Sequence, residues 1–398
     1  MKNQLKVLAL MLGVAGLATS TAHAQNKVKI GFITDMSSLY ADVEGKNGAV
    51  AIQMAIDDFG GKVMGMPIEL ITADHQNKAD IAASKAREWI DTEGLTMLFG
   101  GTNSGTALAA AKVAAEKKRV YVNSGAGSSA LTNDQCTPYT VHYAYDTVAL
   151  ARGTGSAIVD AGGKSWFFLT ADYAFGQALE ADTTAAVKAK GGTVAGAVRH
   201  PLNASDFSSF LLQAQNSKAQ ILGLANAGGD TINAIKAAKE FGIDKTMKMA
   251  GLLLFITDIH SLGLKNTAGL QFTSSWYWDL NDDTRKFANR FFEKTKRMPT
   301  SIQAADYSAT MNYLKAVEAA KSVDADKVMT TWRGMKMNDF YATGTLRPDG
   351  RYVHDMYLLE VKKPSESTKP WDYFKVVKKI PGEQIFTTKA ESKCALWK

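Results

Sequence analysis

Short β-branched or apolar runs alternate with long alanine-rich stretches from Val28 onward, and the alternation starts afresh after Tyr145-Asp146-Thr147. This pattern predicts parallel strands whose connecting helices cover both faces of a sheet. In the first series, strands are expected at Val28 to Thr34, Pro67 to Ala73, Thr96 to Gly100 and Val120 to Asn123. Helices near Lys46 to Phe59, Ala79 to Asp91 and Ser104 to Lys117 have lengths that suit right-handed crossovers. The second series predicts helices at Val148 to Val159, Phe175 to Ala189, Asp206 to Gln215 and Gly229 to Phe241. Its strands are expected at Ser165 to Thr170, Thr193 to Arg199, Ala219 to Leu224, Met247 to Gly251 and Leu270 to Ser275. Helices Asp283 to Lys296 and Ile302 to Ala320 follow, then extended segments at Tyr352 to Val361 and Phe374 to Lys379. The fold class implied is α/β, with two doubly wound parallel-sheet lobes joined by three crossovers near Tyr145, Trp276 and Tyr352. Lobe 1 is expected to hold residues 25–145 and 277–351, and lobe 2 residues 146–276 and 352–398.

Length agrees, because 398 residues exceed one ordinary core and suit two. The N-terminus reads as an export signal: Lys2 and Lys6 precede an apolar run from Val7 to Leu17, which ends in small residues at Ala22-His23-Ala24. Interruptions at Gly13, Gly16, Thr19, Ser20 and Thr21 leave the run short of a membrane span, so cleavage after Ala24 is expected. No Cys lies beside that site, which disfavours a lipid anchor. The formal charge of +7 includes Lys2 and Lys6, so the exported chain carries about +5, with its lysines scattered. No basic stripe interleaved with aromatics appears, which excludes nucleic acid as a partner class. The two cysteines, Cys136 and Cys394, form an even count in an oxidising compartment and are expected to pair, clamping the C-terminal tail onto the body.

In open parallel sheets, ligands bind beyond the carboxyl ends of the strands, where loops run into helix N-termini. After the third strand comes Gly100-Gly101-Thr102-Asn103-Ser104-Gly105-Thr106, with hydroxyls and free amides at a helix start, an arrangement that favours anions. After the fourth comes Ser124-Gly125-Ala126-Gly127-Ser128-Ser129, where small residues let a ligand touch the backbone. Ordinary capping and turn chemistry explains any one such loop equally well. The facing lobe offers Asp172-Tyr173-Ala174-Phe175-Gly176, Arg199-His200-Pro201, Asn226-Ala227-Gly228-Gly229, Leu252-Leu253-Leu254-Phe255 and Trp276-Tyr277-Trp278. Aromatic and apolar residues converging at strand ends suit a flat hydrophobic ligand. Arg199 reads either as a partner for a ligand carboxylate or as half of a surface ion pair.

No catalytic constellation stands out. The six histidines are dispersed, and neither HExxH nor paired CxxC spacing occurs, so no metal is expected. No strand-to-helix turn carries GxSxG, and Gly31-Phe32-Ile33 is not a dinucleotide fingerprint, so no cofactor is expected either. Asp57-Asp58 and Asp282-Asp283 read as solvated or helix-terminal charge rather than an acid/base pair.

With these loops in place, the chain resembles the solute-binding proteins of ABC importers in the leucine/isoleucine/valine-binding family, which have the two-lobed type I periplasmic fold. The resemblance covers essentially the whole exported chain. It implies a periplasmic, monomeric binding protein, not an enzyme, whose partner is an inner-membrane ABC permease. Matched to that family's strand-end motifs, Thr102 and Gly125 to Gly127 take the positions that hold a ligand carboxylate, while Phe175 and Asn226 or Ala227 fall where the second lobe closes. Where amino-acid binders place an acid for the ligand ammonium, this sequence has Leu252-Leu253-Leu254-Phe255. An ammonium there would lose hydration without a counter-charge, at a cost of several kcal/mol. The runs Val198 to Asn203, Asp206 to Phe210 and Gly223 to Asp230 resemble the branch that takes up aromatic acids such as p-coumarate, related phenylpropenoates and benzoates. The expected ligand is therefore an aromatic monocarboxylate. Thr102, Ser104, Gly125, Ala126, Gly127 and Ser128 would hold its carboxylate; Tyr40, Phe175, Leu253, Phe255 and Trp276 would sandwich its ring. Tyr145 at the first crossover, Arg199 and Asn226 complete the candidate site. A branched-chain amino acid, amide or urea is the alternative ligand, and an exported enzyme acting on aromatic substrates the alternative function.

Overall fold

The computed structural model describes residues 27–398; the expected export signal and its cleavage site lie outside the described residues. The first body is built on six strands, β1 (Val28–Thr34), β2 (Lys62–Val63), β3 (Met66–Asp74), β4 (Met97–Gly100), β5 (Val120–Asn123) and β6 (Thr140–His142). Their order is β2-β3-β1-β4-β5-β6, parallel throughout except for the β2–β3 hairpin. Central β1 has no exposed residue, as a strand covered by helices on both faces requires. The crossovers are α1 (Gly45–Asp58), α2 (Ala79–Thr92) and α3 (Ser104–Glu116). Asn103 starts α3 by accepting the N–H groups of Gly105 at 2.9 Å and Thr106 at 3.2 Å.

Where one helix was expected from Val148 to Val159, the chain forms α4 (Thr147–Leu150) and α5 (Ser156–Asp160), joined by a π-helical turn at Ala151–Gly155. The turn sits at a close approach, since a Cβ on Gly153 would stand 2.1 Å from the Thr273 hydroxyl. The second body follows with β7 (Ser165–Ala171), α6 (Ala174–Ala189), β8 (Thr193–His200), α7 (Ser208–Asn216), β9 (Ile221–Ala225), α8 (Gly229–Glu240) and β10 (Lys248–Gly251). These strands form a parallel sheet in the order β10-β9-β7-β8. After α9 (Ile256–Leu262) and α10 (Leu264–Thr267) comes β11 (Gln271–Ser274), which does not extend that sheet. It pairs antiparallel with a strand from the C-terminal part of the chain, described below.

The chain then returns to the first body with α11 (Asp282–Thr295), α12 (Ser301–Ala320) and α13 (Ala325–Gly334); α12 packs along α1. A small antiparallel sheet follows, β12 (Lys336–Asn338), β13 (Thr343–Leu346) and β14 (Tyr352–His354). The chain crosses again to β15 (Met356–Val361) and β16 (Phe374–Ile380), which complete the antiparallel sheet β11-β15-β16. This is the type I periplasmic binding protein fold. Among the described residues no helix is long and apolar enough to cross a membrane.

Two of the three crossovers are bound together by one buried cation. Arg351 is fully buried; its guanidinium donates to the carbonyls of Tyr143 (2.5 Å), Tyr145 (2.9 Å) and Tyr352 (3.0 Å) and lies 3.8 Å from the Asp146 carboxylate. Cys136 and Cys394 form a disulfide, and the tail it anchors also receives Arg152, which donates to the Phe386 carbonyl at 2.7 Å and pairs with Glu391.

Candidate functional site

The carboxyl ends of both parallel sheets face one narrow cleft. Tyr40 and Val43 reach it from the loop after β1, Thr102, Asn103 and Ser104 from the β4–α3 turn, and Gly125, Ala126 and Gly127 from the loop after β5. Tyr145 enters from the first crossover. The second body contributes Tyr173 and Phe175 after β7, Ala227 after β9, and Leu253 and Phe255 after β10, while Ile302 comes from the first turn of α12.

The small residues after β5 are needed for the approach of other groups. A Cβ on Gly127 would stand 2.9 Å from the Phe175 ring and 3.0 Å from Tyr145; one on Gly125 would stand 2.8 Å from the Thr102 amide. Tyr40 and Tyr173, one from each body, meet hydroxyl to hydroxyl at 2.6 Å, and the Tyr145 hydroxyl donates to the Gly125 carbonyl at 2.7 Å. Burial pushes all three phenols well up, so they stand as neutral hydroxyls. Of the four amides that open α3, Gly105 and Thr106 donate to the Asn103 side chain and Ala107 to the Asn103 carbonyl. Ser104, whose N–H opens the helix, lines the cleft together with Thr102.

Charge is confined to the surroundings. No Lys, Arg, Asp or Glu is among the lining residues. Glu44 lies behind the cleft wall, its carboxyl accepting the Thr102 N–H at 2.8 Å and the Thr34 hydroxyl. Burial pushes Glu44 up, as it does Asp306 beside it. Asp258 is buried as the cap of α9, accepting the Phe255 N–H at 2.9 Å, and burial pushes it up to about 7.

Of the residues named from the sequence, the structure brings together Tyr40, Thr102, Ser104, Gly125, Ala126, Gly127, Tyr145, Phe175, Leu253 and Phe255. Four lie elsewhere. Arg199 sits on edge strand β8, where alternate side chains point to solvent. Its side chain is 50% exposed and pairs with Asp172 at 3.6 Å and Glu180 at 4.0 Å. Trp276 is buried on the far side of Phe255, its ring edge-on to Phe287 and Phe340. Asn226 is turned inward, accepting the Thr231 hydroxyl at 2.7 Å and meeting His200 Nε2 at 3.1 Å, and its neighbour Ala227 takes the place in the cleft. Ser128 lies one residue past the lining, its N–H donated to Ser104 Oγ at 3.0 Å. Tyr173 and Asn103 sat in loops already singled out; Val43 and Ile302 carried no strand-end signal.

A family model described as "Periplasmic binding protein" matches residues 27–368. The chain belongs to the periplasmic binding protein family. A periplasmic binding protein from Burkholderia mallei is 69% identical, with a TM-score of 0.94 over 94% of this chain and 100% of that one. A branched chain amino acid ABC transporter periplasmic ligand-binding protein from Burkholderia xenovorans LB400 is 41% identical, with a TM-score of 0.84 over the same shares. At 22% identity, a solute binding protein of an ABC transporter from Rhodopseudomonas palustris BisB5, in complex with 3,4-dihydroxy benzoic acid, shares the fold, with a TM-score of 0.81 over 90% of this chain and 98% of that one. Periplasmic binding proteins of this kind are not enzymes; they bind a small molecule and work with the membrane permease of an ABC importer.

Proposed function

We propose that this periplasmic binding protein closes around an aromatic monocarboxylate, p-coumarate or a related phenylpropenoate or benzoate, and delivers it to an ABC permease. The observation that carries the reading is a cleft walled by the rings of Tyr40, Tyr145, Tyr173, Phe175 and Phe255 with no charged side chain in its lining. A carboxylate placed over the start of α3 meets the Ser104 N–H, the Thr102 hydroxyl and the backbone at Gly125 to Gly127, with the positive end of the helix behind it. An ammonium placed against Leu253 and Phe255 meets no charged side chain in the lining, the Asp258 carboxyl being engaged behind it by the Phe255 N–H, and loses several kcal/mol of hydration.

A second reading, a branched-chain amino acid, draws on the naming of the Burkholderia xenovorans relative. Thermal shift separates the two, because a ligand at 100 times its Kd adds about 2.7 kcal/mol to stability. The aromatic reading expects p-coumarate or a benzoate to raise the melting temperature and leucine to leave it unchanged; the reverse result removes it.

A further inference from the structure

Directly behind the loops that line the cleft sit two carboxyls with no lysine or arginine in ion-pair contact among the described residues. Glu44, just ahead of α1, and Asp306 on α12 are both fully buried. Their proximity is fixed by shared neighbours. A Cβ on Gly48 would stand 2.8 Å from Asp306 Oδ2 and 3.0 Å from Glu44 Cγ, and the Ser124 hydroxyl donates to Asp306 Oδ1 while lying 3.4 Å from Glu44 Oε1. Asp306 Oδ2 has no hydrogen-bond partner among the described residues. Glu44 reaches the cleft wall from behind: its Oε2 holds the Thr102 amide, and a Cβ on Gly125 would stand 3.1 Å from its Oε1. Two carboxyls buried side by side cannot both ionise, so the pair keeps at least one proton.

We propose that the Glu44–Asp306 pair sets the charge preference of the cleft, admitting a carboxylate while both members are protonated and rejecting it once one of them ionises. The proposal rests on the reading of Thr102 and Gly125 as a carboxylate seat. An anion in that seat is separated from Glu44 by a single layer of backbone, so its arrival raises the proton affinity of the pair and binding takes up a proton. A neutral guest makes no such demand. The other ionisable groups facing the pair are Asp35 after β1, Tyr121 on β5, Tyr145 at the first crossover and Tyr341 between β12 and β13. Burial keeps the three phenols neutral. His75, after β3, touches the Thr102 carbonyl through Nε2 at 2.9 Å, and burial pushes its pKa down.

The test is calorimetric titration of the wild-type protein with p-coumarate and with its neutral amide between pH 6 and pH 8.5. The carboxylate Kd is expected to weaken by about tenfold across that range, at most tenfold per pH unit for one linked proton, while the amide Kd stays within about twofold. The double variant Glu44→Gln with Asp306→Asn is expected to flatten the carboxylate profile; should it fail to fold, the comparison of acid with amide on the wild type decides alone. Parallel profiles for acid and amide, or a carboxylate Kd independent of pH, overturn the proposal and leave the ligand reading standing. Failure of both p-coumarate and benzoate to bind at any pH overturns the ligand reading, and the proposal with it.

Discussion

Closure of the cleft can be tested at the contact between Tyr40 and Tyr173, which come from different bodies and meet at 2.6 Å. Tyr173→Phe removes one hydroxyl and leaves the other buried without its partner whenever the cleft shuts. A neutral hydrogen bond contributes about 1 kcal/mol net, and stranding a buried hydroxyl costs about 1 to 3 kcal/mol, so closure is expected to lose about 1 to 2 kcal/mol. Ligand Kd then rises about five- to thirtyfold. Tyr40→Phe should cost a similar amount, and the double variant little more than either single one, because the second substitution removes a group already without its partner. Isothermal titration of all four proteins gives the cycle, with an expected coupling of about 1 to 2 kcal/mol. Additive costs would show that each phenol acts on the ligand independently, and unchanged Kd values that the contact does not support the bound state; either refutes the reasoning.

Arg351→Met strands three carbonyls and the Asp146 carboxylate at the crossovers, a loss of about 3 to 5 kcal/mol for a broken buried pair. At about 2.1 cal/mol/K per residue this lowers Tm by about 5 °C in calorimetry, and a change under about 1 °C would contradict the assignment. Arg199→Ala is expected to leave ligand Kd within about twofold by titration, because its partners are surface carboxylates; a tenfold loss would return it to the cleft. Asp258 is held up to about 7 in the fold from 3.8, so its proton stabilises the native state below about pH 4 and that contribution is lost as pH rises toward 7. Asp258→Asn, which keeps the acceptor for the Phe255 amide, should therefore gain on the wild type by up to about 4 kcal/mol between pH 4 and pH 8 in denaturant titrations; a pH-independent difference would show that the group is ionised throughout.

The parts legible in the sequence were those encoded locally. The runs at Val28 to Thr34 and Val120 to Asn123 are the observed bounds of β1 and β5, because a doubly covered strand must be apolar along its length. The glycine-rich turns after β4 and β5 announced the cleft because only small residues let Phe175 and Glu44 come so near. What escaped depended on distant partners. β11 was read as a strand, yet its neighbour β15 lies far along the chain, and nothing local distinguishes an antiparallel edge from another parallel strand. β6 has three residues, and β12 to β14 are similarly short, below the length at which periodicity speaks. Arg199 and Trp276 were placed by strand-end position alone, and edge-strand alternation and packing against the α11 side of the molecule turned them away. Glu44 reads in sequence as an ordinary acid before a helix; only the fold sets it behind Thr102.

Native mass spectrometry of the protein purified from its own periplasm without unfolding, with the bound molecule then released and identified, decides whether an aromatic acid occupies the uncharged cleft. The expected mass is that of an aromatic monocarboxylate. Recovery of leucine, isoleucine or valine would contradict it.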